Sequence, residues 1–143
     1  MVAGSSFVVD ASIALSWCFE DEASTLAEAV LERLAVDSAV APAIWPLEVA
    51  NGLRAAERRG RIDERAIPAA TQLLLALPIW IDEAAGLQSA LGEVLQTARA
   101  VGVSVYDATY LDLALRRGVP LATADEQLAR AARAAGIQLV ENS

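Results

Sequence analysis

Four acidic residues, Asp10, Glu48, Asp107 and Asp125, stand where a carboxylate can do chemistry. Asp10 ends the apolar run Phe7-Val8-Val9, and a helical pattern starts directly after it. Asp125 comes two residues after Thr123, past the run Leu121-Ala122-Thr123, and again leads into a helical pattern. Short apolar runs bounded in this way suit buried parallel strands, and in open α/β sheets ligands bind at the carboxyl ends of such strands. Two strands that each end at or near an aspartate can bring two carboxylates to one edge of a sheet. Glu48 borders the apolar arc Trp45, Val49, Gly52, Leu53 and Ala56 of a helix, where an acid is costly unless something satisfies it. Asp107 follows Ser104 by three residues, nearly a capping box, and shares a helical face with Tyr110, Leu111 and Ala114.

Each of the four also has an ordinary reading. Asp10 and Asp125 suit helix N-caps, Thr123 to Glu126 is a possible capping box, and Glu48 is a boundary residue that can reach water. Taken together these readings leave a problem. Two carboxylates ~4 Å apart repel by about 4 kcal/mol at an effective dielectric near 20, and a divalent cation reverses that sign. If the fold gathers the four, a metal site is the natural explanation. Ligation by oxygen alone favours Mg2+ or Mn2+. Asp63, Asp82 and Asp112 lack such contexts and read as solvated.

The elements that must position these groups alternate. Helical patterns cover 11–19, 22–37, 44–59, 63–77, 84–100, 104–117 and 125–135, and short strands are expected at 7–9, 38–41, 79–81, 119–123 and 137–140. The alternation predicts an α/β fold with a mainly parallel central sheet. There is no internal repeat or linker, so residues 1–143 read as one domain.

Composition removes several chemistries. The chain has no histidine, and all 11 of its basic residues are arginine. Serine–histidine and cysteine–histidine catalysis, histidine-ligated metals, Schiff bases and the phosphate-loop lysine are therefore absent. A receiver-type phosphoacceptor domain would want a lysine, and a haloacid-dehalogenase-like phosphatase would want an aspartate where Ser12 stands. One cysteine, Cys18, allows no internal disulfide and fits a reduced, cytoplasmic setting. No apolar run is long enough to span a bilayer and no signal peptide is evident, so no membrane partner is expected. The net charge of −8 weighs against a nucleic-acid partner, although Arg54, Arg58, Arg59, Arg61 and Arg65 cluster in one stretch. That cluster, or Arg116 with Arg117, could steer an RNA backbone; the alternative is a solvated helix face.

Four segments in order, Val8-Val9-Asp10-Ala11-Ser12, Glu48-Val49-Ala50-Asn51, the stretch from Tyr106-Asp107-Ala108-Thr109-Tyr110 to Ala114, and Leu121-Ala122-Thr123-Ala124-Asp125, resemble the PIN domain, and within it the VapC-like ribonuclease toxins of toxin–antitoxin pairs. The resemblance covers nearly the whole chain. It implies a PIN-like three-layer fold, with a parallel sheet flanked by helices and an acidic rim binding Mg2+ or Mn2+. It also implies endonucleolytic cleavage of single-stranded RNA, with Asp10, Glu48, Asp107 and Asp125 as catalytic and metal-binding residues. Ser12 and Thr123 match hydroxyl positions near the metal. A homodimer held by a cognate antitoxin is implied as well. Without histidine, products with 5′-phosphate and 3′-hydroxyl ends are expected. The rival reading is a non-catalytic interaction domain in which the carboxylates only cap helices.

Overall fold

The computed structural model describes residues 5–83 and 86–141. Four strands, β1 (Ser5–Val9), β2 (Ser38–Pro42), β3 (Ile79–Asp82) and β4 (Leu121–Ala122), form one sheet in the order β3-β2-β1-β4. Every pairing is parallel, with Val8 opposite both Val40 and Leu121. Parallel strands are covered on both faces, which is why Phe7, Val8, Val9, Ala39, Val40 and Ala41 are apolar without alternation and have no solvent exposure.

Helices fill the crossovers. They are α1 (Ala11–Cys18), α2 (Thr25–Arg33), α3 (Trp45–Arg58), α4 (Ala66–Ala76), α5 (Leu87–Ser89), α6 (Leu95–Val101), α7 (Val105–Arg117) and α8 (Glu126–Ala134). The expected α/β fold with a parallel sheet flanked by helices is the observed one. The apolar arc expected on α3 is also present: Trp45, Val49, Leu53 and Ala56 are buried. At Gly52 a Cβ would meet the Leu15 side chain, so glycine leaves room for Leu15 of α1 to pack against α3.

Boundaries differ where local chemistry overrides periodicity. The second helix begins later than expected, because Ser24 accepts from the Ala27 amide and caps it, and Glu20–Glu22 forms a separate 3-10 turn. The helix expected from residue 84 is described from Leu87 and reaches Val101 through a π-helical turn at Ala90–Val94; Ala84 and Ala85 lie outside the described residues. The strand expected at 137–140 reduces to one bridge, Leu121 opposite Leu139.

The chain steps from β1 to β2 to β3 in one direction, then returns to place β4 on the other side of β1. The connection direction therefore reverses between β1 and β4. In sheets of this kind the crevice outside the strand ends at that reversal is the natural ligand position.

Candidate metal centre

Asp10 follows β1 directly at this crevice and is 4% exposed. It caps α1: Oδ1 accepts from the Ile13 amide at 3.1 Å and from Ser12 Oγ at 2.7 Å. Oδ2 accepts from Thr123 Oγ1, which ties the end of β1 to the segment after β4. Ser12 Oγ in turn accepts from the Ala124 amide at 2.9 Å, and Thr123 Oγ1 accepts from the Asp125 amide at 3.0 Å. Asp125 caps α8, with Oδ1 accepting from the Gln127 and Leu128 amides. Asp125 rather than Thr123 thus takes the capping position, and the Thr123–Glu126 capping box does not form.

Asp107 lies in the first turn of α7, with its amide donating to Ser104 Oγ at 3.0 Å. Its carboxylate has no hydrogen-bond partner among the described residues. Glu48 sits in the first turn of α3, and Tyr110 donates its hydroxyl proton to Oε1. Tyr110 is 2% exposed, so one buried phenol links α7 to the start of α3. The helical face shared by Asp107 and Tyr110 is the sequence signal for this residue, whose role the spacing of acids does not reveal.

Burial governs the charges. Asp10 is pushed from 3.8 to about 6, mainly by desolvation; the Thr123, Ser12 and Ile13 hydrogen bonds oppose this and Asp125 adds to it. Asp107 is raised by burial and then by Asp125. Glu48 is raised by burial and by Asp107, with the Tyr110 hydrogen bond opposing. Asp10 feels Asp125, Asp125 is felt by Asp107, and Asp107 is felt by Glu48, so the four acids form an electrostatic chain along one rim. No arginine pairs with any of them among the described residues. All-oxygen donors without a protein counter-charge fit a hard cation in chemistry. In arrangement they do not close on one point: among the described residues no three acidic or cysteine side chains form a group that could hold a metal ion.

Two other expectations are corrected. Asp82 and Asp112 are not solvated but 8% and 7% exposed. Arg116 joins them, with Nε 2.9 Å from Asp112 Oδ2 and Nη1 3.0 Å from Asp82 Oδ2, and Arg117 lies 3.7 Å from Asp82 Oδ2. Both arginines are engaged by the protein, which counts against a role in steering RNA. Of the Arg54–Arg65 cluster, Arg54, Arg61 and Arg65 are also ion-paired, whereas Arg58 and Arg59 are exposed with no ion pair among the described residues. Asp63 is exposed, as expected.

The PIN domain family model matches residues 7–134, and the chain belongs to that family. PIN domains are generally metal-dependent nucleases that act on nucleic acids. The crystal structure of PAE2754 from Pyrobaculum aerophilum is similar in fold, with a TM-score of 0.70 and 21% identity over 92% of this chain and 87% of that one. No curated protein matches the chain. Among the described residues no helix is long and apolar enough to cross a membrane.

Proposed function

We propose that this PIN domain is a Mg2+- or Mn2+-dependent endoribonuclease that cuts single-stranded RNA. We further propose that it is the toxin of a toxin–antitoxin pair, acting in the cytoplasm as a homodimer restrained by a cognate antitoxin. The observation that carries the nuclease reading is the rim itself. Three of its carboxyls are raised by burial and by a neighbouring carboxylate, Asp10 and Asp107 by Asp125 and Glu48 by Asp107, with no arginine paired to them among the described residues, at the place where the sheet reverses its winding.

In this reading Asp107, with both oxygens unengaged, and Asp125, with one oxygen outside its cap, are the first ligands for a cation. Asp10 and Glu48 complete the set. Ser12 and Thr123 hold the Asp10 carboxylate in place, and Tyr110 holds that of Glu48. When bound, the cation supplies charge neutralisation at the phosphate and an acidified water as nucleophile. To hold a cation the carboxylates would have to draw closer, because among the described residues no three of them form a metal-holding group.

A second reading has a specific observation behind it: Asp10 and Asp125 do cap α1 and α8. A protein whose carboxylates serve only as caps gains nothing from a divalent ion. One experiment separates the two. The chain is given a single-stranded RNA with Mn2+ or with EDTA, beside Asp107→Asn, and each protein is melted under both conditions. The nuclease cleaves only with Mn2+, leaves 5′-phosphate ends, loses activity in Asp107→Asn and melts higher with the ion by mass action. A 2′,3′-cyclic phosphate, or cleavage that survives EDTA, rejects it. Mapping cleaved cellular RNAs after expression, with Asp10→Asn as control, tests the toxin role.

A further inference from the structure

A second cavity of about 330 Å³ lies at the ends of β2 and β3, apart from the acid rim. That is within the ~300–1,000 Å³ range of small-ligand sites. Its walls are apolar, from Pro42, Ile44, Leu47 and Val94, and its polar groups are Asp82, Asp112, Arg116 and Thr109, whose hydroxyl proton is given to the Tyr106 carbonyl. At ~100° per residue, Asp112 and Arg116 fall on the side of α7 away from Asp107. The cavity therefore sits across that helix from the rim, while Leu47 in its wall is the neighbour of Glu48.

A carboxylate buried to this degree is costly unless its oxygens are satisfied. Arg116 engages Asp112 through Oδ2. The other oxygen, Oδ1, has no hydrogen-bond partner among the described residues and is not sealed in the interior, so it is left to solvent or to an occupant of the cavity. Two guanidinium groups balance the two aspartates, so these polar groups present an acceptor without net negative charge. A slot with apolar walls and an edge acceptor matches a flat ring that carries N–H donors on its rim, which is how flipped or single-stranded bases are read.

The geometry points to a nucleobase subsite that takes a base bearing an exocyclic amine (cytosine, adenine or guanine), with Asp112 accepting from that amine. Uracil has no exocyclic amine, and its one ring N–H lies between two carbonyl oxygens that would meet the carboxylate as acceptors. The inference rests on the nuclease reading for the presence of RNA, but base binding here requires neither a metal nor cleavage.

The test is binding of CMP, AMP, GMP and UMP to the full chain in EDTA, followed by NMR shifts of the Leu47 and Val94 methyls. At least one of the amine-bearing nucleotides should bind about tenfold or more tightly than UMP. Asp112→Asn, which turns one acceptor oxygen into a donor, should bring UMP to within about threefold of that nucleotide. Should that variant fail to fold, Ala43→Trp, on the exposed turn beside the cavity, should abolish binding without touching the buried pairs. Equal binding of all four nucleotides, no binding into the millimolar range, or binding that neither variant alters overturns the subsite. Amine-selective binding by a chain that never cleaves RNA upholds the subsite and removes the nuclease reading. Base-indifferent cleavage without mononucleotide binding does the reverse.

Discussion

Asp10 concentrates the electrostatic cost of the rim in one side chain. Its folded-state pKa of about 6 stands above its ordinary 3.8, so folding tightens its hold on the proton. The ionised form therefore costs stability that is absent at acid pH, accumulates as pH rises from 3.8 to about 6, and is complete above that. A shift of this size corresponds to about 3 kcal/mol. In EDTA, Asp10→Asn should melt several degrees above the parent near neutral pH, because asparagine still caps α1. The advantage should vanish as pH falls below the range in which Asp10 ionises. Equal melting temperatures at neutral pH would refute the cost. Ser12 and Thr123 oppose that cost directly, since their hydroxyls donate to the charged form.

At the scale of elements, Arg116 ties the end of β3 to α7 through two buried carboxylates. Its side chain is 37% exposed, while those of Asp82 and Asp112 are 5% and 10%. Arg116→Ala leaves both without this partner, and a loss of about 3 kcal/mol in urea unfolding is expected, against about 0.5 kcal/mol for an ordinary surface arginine. A loss under 1 kcal/mol would show that solvent already screens the pair. This link was hidden in the sequence because Asp82 and Asp112 have no local pattern around them. Their burial follows from β3 ending beside α7, a tertiary fact. By contrast Asp10, Asp107 and Asp125 stood out because each lies at the junction of two legible elements. The buried strands of β1 and β2 were readable from unbroken apolar runs. The strand at 137–140 was not, because periodicity reports an apolar face without showing how much of it pairs. Tyr110 was visible as a face-mate of Asp107, but its reach to Glu48 depends on how α3 lies against α7.

The whole molecule carries a net charge of −8, an unusual background for a protein that handles RNA. Most of its arginines near the cavity and in the Arg54–Arg65 stretch are spent on internal ion pairs. Arg58, Arg59, Arg99, Arg130 and Arg133 are exposed without an ion pair among the described residues, and Arg58 and Arg59 stand at the C-terminal end of α3, the helix that carries Glu48. For single strands each neutralised phosphate contributes about −0.7 to the slope of log affinity against log salt. RNA binding should therefore show a slope no steeper than about −3.5, and the double change Arg58→Ala with Arg59→Ala should flatten it by about 1.4. A slope steeper than about −4 would mean that a basic surface other than this one meets the RNA.

The pairing of Val8 with Leu121 and the hydrogen bond from Thr123 to Asp10 join segments that lie 113 residues apart in the chain. A chain still being translated holds Asp10 and Glu48 long before it holds β4 and α8. Until those segments emerge from the ribosome, the end of β1 lacks its β4 neighbour and Asp10 lacks the hydroxyl that secures its second oxygen. Synthesis of β4 and α8 is thus itself a safeguard: a product terminated before Asp107 would carry half of the acidic set and none of the assembled crevice.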